Sequence, residues 1–287
     1  MSIKTILTGI SGGSATSGAI ELSCRLAKQF GAHLEGLHVR LDPAQLAAMA
    51  CVGGYAMPMD GEWTDRMNSD ADTLARKMNK SFDDALRQHG MAATDQPGPA
   101  GASGAWRDET GYAPTLIAQR ARFFDLVVLG RSERVVNQPS TETIEETLVQ
   151  SGRPVLIAPA TTPETLGQTV ALGWNGSPEA VRATSAALPF LKAARSAVVI
   201  TVGDKHKSSV ETLRRYLDWH GVGTRHREAA TEFGSGPGDV LLATARDENA
   251  DLLVMGGYGR GPWRELLFGG ASRELIDTSR LPLLMCH

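Results

Sequence analysis

The residues best suited to chemistry lie near the C-terminal end, in Gly256-Gly-Tyr-Gly259-Arg260-Gly-Pro-Trp-Arg264-Glu-Leu-Leu-Phe-Gly269-Gly270-Ala271-Ser272. Glycines let a main chain approach an anion closely. Gly269 to Ser272 run into a helix-like stretch, Arg273 to Ser279, whose first N–H groups would face a phosphate. Arg260 and Arg264 add positive charge beside it. The chemistry to expect is phosphate binding, although a glycine-rich loop after a strand also serves as a plain tight turn.

Other motifs carry less. Gly9-Ile-Ser11-Gly-Gly13 has the spacing of a nucleophile elbow, but Ser11 aligns with Asn175 in the repeat described below, and we read it as a glycine-rich first turn. A hydrolase built on Ser11 is the weakest of three functional readings. Asp125 and Asp251 precede apolar strands and are expected to orient the turn before them. Neither GxxxxGK[ST] nor HExxH occurs. His220 and His226, around Gly221 and Gly223, are read as a solvated turn rather than a metal site. Lys205-His-Lys207 is a small cationic loop with two readings, a partner for phosphates or solvated surface, and Gly234-Ser-Gly-Pro-Gly238 is a loop that would border the pocket.

The elements that must position these residues come in two sets. Phe124-Asp-Leu-Val-Val-Leu-Gly130 matches Ala250-Asp-Leu-Leu-Val-Met-Gly256, and Arg153-Pro-Val-Leu-Ile-Ala158 matches Leu281-Pro-Leu-Leu-Met-Cys286. Near each half's start, Lys4 to Ser14 resembles Val170-Ala-Leu-Gly-Trp-Asn-Gly-Ser177, with Ser11 opposite Asn175. Ala19 to Phe30 and Pro178 to Lys192 carry apolar residues at helical spacing. Strand-like runs follow at His33 to Val39 and Ala197 to Val202. Continuous apolar strands such as Leu126 to Leu129 suit a parallel sheet buried on both faces, so the pattern predicts an α/β fold. The first half carries roughly 38 additional residues. They are placed at about 40–80, with a methionine-rich, loop-like start and a helix predicted over Thr64 to Gln88. Two roles stand for this insert: a lid over apolar sheet, or a plastic binding surface. Gln96 to Gly104 reads as a loop and Ala160 to Gly167 as a linker.

Composition narrows the function classes. At 42% apolar and 21% charged residues, the profile is that of an ordinary globular chain. The net charge of -3, with no run of Lys and Arg, gives nucleic acid no basic field. The five tryptophans are scattered rather than arranged as a stacking platform. No apolar stretch approaches the ~20 residues of a membrane span, and the N-terminus lacks a signal-peptide pattern. A cytoplasmic location is expected, with no membrane partner. Cys24, Cys51 and Cys286 make no CxxC pair, so reduced, partly buried thiols are expected.

The glycine loop resembles that of the universal stress protein family, whose nucleotide-binding members carry G-x2-G-x9-G-[ST] after the fourth strand. Gly256, Gly259 and Gly269 fit the three glycines; Gly270 stands at the Ser/Thr place, with Ser272 as a substitute hydroxyl. Gly173-Trp-Asn-Gly-Ser177 is similar to the family's Asp-Gly-Ser turn, with Asn175 in place of Asp. The resemblance spans nearly the whole chain except the insert and implies a tandem arrangement. Domains are expected at 1–160, with a degenerate nucleotide site, and at 168–287, each an open, mostly parallel five-stranded sheet flanked by helices, like the adenine-nucleotide alpha-hydrolases. It further implies ATP or a related adenine nucleotide, with Mg2+ as a companion ion to test, held by Gly173, Asn175, Val202, Met255, Gly256, Gly259, Arg260, Gly269, Gly270, Ala271 and Ser272. In the family the residue at Asn175's place and a main-chain group near Val202 meet the adenine end.

The first half lacks the second glycine after Gly130, and Glu133, Glu142, Glu145 and Glu146 place negative charge where a phosphate would need donors. It is expected to act as a scaffold, forming an intrachain pseudo-dimer with the second half, with a homodimer as a further assembly to test. The function expected is a stress-response protein acting as a nucleotide-dependent regulator, with at most slow ATP hydrolysis and an unidentified protein partner. The alternative is a non-nucleotide module whose insert contacts a protein or an apolar ligand.

Overall fold

The computed structural model describes residues 2–13, 16–44, 61–96, 101–131, 140–203, 207–230, 236–257 and 279–287. Its first half runs β1 (Thr5–Ile10), α1 (Thr16–Phe30), β2 (His33–Arg40), α2 (Gly61–Gln88), β3 (Ala92–Ala93), β4 (Ser103–Thr110), α3 (Ala113–Ala121), β5 (Leu126–Gly130), α4 (Ser140–Gln150) and β6 (Val155–Ala158). The second runs β7 (Thr169–Gly173), α5 (Pro178–Ala193), β8 (Ser196–Val202), α6 (Lys207–Trp219), β9 (Arg225–Ala229), α7 (Pro237–Asp247), β10 (Leu252–Gly256) and β11 (Leu283–Cys286).

All the described strands join one sheet, in the order β3-β4-β2-β1-β5-β6-β11-β10-β7-β8-β9. Every neighbouring pair is parallel except β6 with β11, which run antiparallel where the halves meet. Outward from that junction the order is the same on both sides: β6-β5-β1-β2-β4 and β11-β10-β7-β8-β9. The α/β architecture with a mostly parallel sheet is as the sequence predicts, but the two sheets are fused into one, and short β3 extends the first half's edge.

The strands at the centre are buried on both faces, which explains their unbroken apolar runs: Leu126 to Leu129 and Leu252 to Met255 are almost wholly excluded from water. One core lies under α1, α2, α5 and α6, the other under α3, α4 and α7. Both cores cross the junction; Phe30 and Phe190 meet edge to face at 5.2 Å.

The repeated aspartates do the same work in each half. Asp125 accepts from the Lys4 and Thr5 N–H groups at 2.8 and 3.0 Å, and Asp251 from those of Gln168 and Thr169 at 3.1 and 2.9 Å. Each carboxylate thus holds the start of the neighbouring first strand, fixing the level at which that strand ends.

The insert's helix begins at Gly61, three residues before the predicted Thr64, and ends at Gln88 as predicted. At ~1.5 Å per residue it is about 42 Å long. Phe82 lies over Gly36 so closely that a Cβ there would meet its ring at 2.8 Å, and Leu86 lies likewise over Gly104 at 2.6 Å. This half of α2 covers sheet, as a lid does. The methionine-rich residues 45–60 lie outside the described residues.

Candidate functional site

In an open α/β sheet, ligands bind beyond the carboxyl ends of strands at the point where the connections diverge. In the second half that point lies between β7 and β10, because β7 leads to β8 on one side and takes β10 on the other. Gly173 is in register with Met255 of β10 and with Ile200 of β8.

Beyond Gly173 the chain is tightly specified. Trp174 donates its N–H to the Ile200 carbonyl at 2.9 Å, and its indole Nε1 donates to Ser209 Oγ of α6 at 2.9 Å. Asn175 Oδ1 accepts from the Ser177 N–H at 3.1 Å, an Asx turn. Gly176 sits at φ 71°, which glycine adopts without steric cost. Ser177 then caps α5, its Oγ accepting from the Ala180 N–H at 3.2 Å, and Pro178 follows with φ already suited to a helix.

β10 ends against this helix start. A Cβ on Gly256 would stand 2.5 Å from Ala180 N and 2.7 Å from Glu179 C, so only glycine lets the two backbones approach. Gly257 donates to the Cys286 carbonyl at 2.7 Å. Arg182 Nε donates to the His287 carbonyl at 2.6 Å and its Nη2 meets Glu179 Oε1 at 2.9 Å, tying α5 to the end of β11.

Val202 closes the third side. Both main-chain groups of a parallel-strand residue face one neighbour. Ile200 faces β7, and Gly203 faces β9 through its bond to the Ala229 carbonyl at 2.9 Å. Val202 therefore faces the β7 side, where its N–H and C=O meet no main-chain partner among the described residues.

Charge at this end is uneven. Burial pushes the Glu179 carboxyl upward, but its own backbone N–H, the Ser177 hydroxyl and Arg182 outweigh burial and hold it below its ordinary range. An anionic group thus already sits at the start of α5. Burial pushes the Cys286 thiol up to about 12, against the pull of Arg182, and the Cys24 thiol likewise to about 12. Both are free, buried thiols.

Of the residues predicted to line the site, the structure brings together Gly173, Asn175, Val202 and Gly256 at one end of the sheet. Gly173 is also needed for packing, since a Cβ there would meet Leu241 of α7 at 2.7 Å. Met255 is in the core at 2% exposure, so only its main chain reaches this end. Gly259, Arg260, Gly269, Gly270, Ala271 and Ser272 lie outside the described residues. Sequence reasoning did not single out Trp174, Glu179 and Arg182. The Ser-Pro-Glu helix start was the available signal for Glu179.

In the first half, Ser11 Oγ is 3.4 Å from Thr16 Oγ1, which accepts from the Gly12 N–H at 3.0 Å. The Tyr112 phenol, pushed up to about 12 by burial and then by Glu142 and Glu146, shows the acidity of that end. His220 meets Tyr216 edge on, whereas His226 is bonded to Thr201, so the two histidines are engaged in separate contacts. No group of His, Cys, Asp and Glu among the described residues is arranged to hold a metal, and no helix among them is long and apolar enough to cross a membrane.

The sequence model of the universal stress protein family matches residues 168–287. The second half of the chain is thus similar to the universal stress protein family. A universal stress protein from Archaeoglobus fulgidus DSM 4304 shares the fold over 98% of this chain and 97% of its own, with a TM-score of 0.70 at 16% identity. A functionally unknown protein from Pseudomonas aeruginosa PAO1 covers 99% of this chain and 92% of its own, with a TM-score of 0.52 at 18% identity. Such identities speak for fold alone. No curated protein matches the sequence. The matched segment contains both strands that border the crevice, β7 and β10.

Proposed function

We propose that the second half holds ATP or a related adenine nucleotide in the crevice between β7 and β10, and that the protein works as a stress-response regulator or binding module that depends on that nucleotide rather than as an efficient enzyme. The observation that carries this reading is the Val202 N–H and C=O pair, unmet by main chain among the described residues and opposite Asn175 at the point where the connections diverge. Such a donor and acceptor side by side suit the edge of a base.

Gly256 supports it by starting the G-x2-G-x9-G loop against the turn that carries Asn175. The phosphates would fall to Gly259, Arg260 and the Gly269 to Ser272 segment, with Gly270 and Ala271 offering main-chain N–H groups. A bound nucleotide would supply charge and a hydrolysable phosphoanhydride. The sequence offers no Walker lysine to neutralise it, so hydrolysis would be slow at most.

The test is mass spectrometry of small molecules released on denaturing the purified protein, with ATP calorimetry with and without Mg2+. Co-purified nucleotide or micromolar binding, lost in Gly259→Val, is the expected result. No nucleotide and no heat would sink the proposal and leave the non-nucleotide module standing.

A further inference from the structure

A second cleft, of about 480 Å³, lies at the opposite end of the sheet, where the strands begin. It is walled by the last turns of α1, by His89 just past α2, and by the segment that joins the halves and leads into β7. Arg25, Lys28 and Gln29 stand three and four residues apart on one face of α1. Arg25 donates from Nη1 to the Pro163 carbonyl at 2.7 Å and from Nη2 to the Glu164 carbonyl at 2.9 Å. Those partners are neutral, so they fix the guanidinium without cancelling its charge. Lys28 is exposed and enters no hydrogen bond or ion pair among the described residues. His89 is answered by Glu21, its Nε2 2.7 Å from Oε2. Against the two permanent cations stand the Glu164 carboxylate and the partial charge, about half a unit, of the α1 carboxyl end. Positive charge is left in excess.

We propose that this cleft binds a small phosphorylated polyol of the sugar-phosphate class, its phosphate on Arg25 and Lys28 and its hydroxyls on the amides of Gln29 and Gln168. A phosphomonoester carries about -1.5 to -2 charges at neutral pH and three strong acceptor oxygens, which answers the excess. The cleft is larger than a bare phosphate needs and falls within the ~300–1,000 Å³ of small-molecule sites. Its remaining lining is polar apart from Leu166. Among the described residues the His89 imidazole is the only ring in it, and Glu21 holds that ring, so a nucleotide base finds nothing to stack on. The walls are set before a ligand arrives. Arg25 is pinned as above, and Gln168 is held through its N–H to Asp251 Oδ2 at 3.1 Å and through its carbonyl, which accepts from the Arg195 and Ser196 N–H groups at 2.9 and 3.1 Å. Such preorganisation lowers the cost of binding.

The test is calorimetry on the full chain with glucose 6-phosphate and ribose 5-phosphate, against glucose and inorganic phosphate. At least one of the two esters is expected to bind at millimolar concentration or below, glucose not at all, and inorganic phosphate about tenfold more weakly than the ester for want of the hydroxyl contacts. Lys28→Glu is expected to melt like the wild type and to weaken the ester about tenfold, the size of one charge-assisted hydrogen bond, while Gly259→Val leaves it unchanged. No heat from either ester, or phosphate binding as tightly as the ester, overturns the proposal. So does an affinity lost in Gly259→Val and kept in Lys28→Glu, which would place the phosphate at the glycine loop instead. Should Lys28→Glu not fold, Lys28→Met carries the same comparison.

Discussion

At the end of β1 the chain turns through Ser11, Gly12 and Gly13; at the end of β7 it turns through Asn175, Gly176 and Ser177. The strand registers put these turns in equivalent places, and both central glycines sit in the left-handed region, at φ 84° and 71°. In the first half the turn is occupied. Thr16 takes up the Gly12 N–H, Leu74 of α2 lies where a Cβ on Gly12 would meet it at 2.9 Å, and Arg40 at the end of β2 is ion-paired with Asp72 and Asp108. In the second half the corresponding helix, α6, has 13 residues against the 28 of α2. It is joined to the turn by the bond from Trp174 Nε1 to Ser209 Oγ. Lengthening one helix therefore covers this end of one half, while the same fold leaves the Val202 N–H and C=O of the other half without a main-chain partner among the described residues.

The hardest test of this contrast is to loosen the long helix. Phe82 is fully buried between Gly36 and Trp106, so Phe82→Ala is expected to cost about 4 kcal/mol in urea unfolding. Nucleotide affinity of the second half should stay within about twofold at a temperature where the variant is folded, an effect well under 1 kcal/mol. A matching loss of affinity would show that the halves are not separable and would break the comparison.

Gly256 probes the other end. Its Cβ would collide with the backbone of α5 rather than with a side chain that could swing away. Gly256→Ala should therefore cost about 2 to 3 kcal/mol and weaken nucleotide binding together with stability, because β10 and the Asn175 turn must separate. Gly223→Ala, with open space around it, serves as the control. If Gly256→Ala melts like the wild type, the close approach at the crevice is not a constraint.

What the sequence made legible follows burial. The central strands announce themselves because both faces are apolar, and the repeat makes each half a check on the other. Five strands per half were expected, but the places of the outer strands β4 and β9 were not foreseen. Ser-Gly-Ala-Trp-Arg-Asp-Glu-Thr and Arg-His-Arg-Glu-Ala keep charged side chains in water, so they lack the alternation that marks a half-buried strand. The expected loop over Gln96 to Gly104 accordingly gave way to a strand starting at Ser103. At the candidate site, spacing picked out Gly256 and Asn175 but not their particular work. Contact between Gly256 and Ala180, and the Asx turn that commits the Asn175 oxygen, join residues 76 positions apart and 2 apart in three dimensions. Glycine spacing reveals that a backbone comes close without saying to what.

The repeated aspartates sharpen the comparison from the side of likeness. Asp125→Ala and Asp251→Ala each strand two strand-start N–H groups, so each should cost about 2 kcal/mol. Asp125 additionally accepts from Thr5 Oγ1 at 3.2 Å, and its loss should be the slightly larger one in paired denaturant titrations. A cost confined to one half would mean that the repeat preserves the residue without preserving its role.

The smallest effect separates the halves by pH. Glu179 lies in the first turn of α5, with a side chain 13% exposed, whereas Ser11 to Thr16 contains no carboxylate. Its folded-state affinity for protons is lower than in the unfolded chain, because the Ser177 hydroxyl, the backbone and Arg182 favour the ionised form over the opposing effect of burial. That stabilisation is present at neutral pH, above the unfolded value, and is lost as pH falls through the depressed folded value. Glu179→Gln should accordingly be less stable than the wild type at pH 7, with the gap closing below about pH 4, the ordinary carboxylate range. Unfolding titrations of both proteins from pH 7 to pH 3 measure it. A gap that is independent of pH would mean that Glu179 acts through packing alone, and that the α5 start carries no functional charge to set against a phosphate.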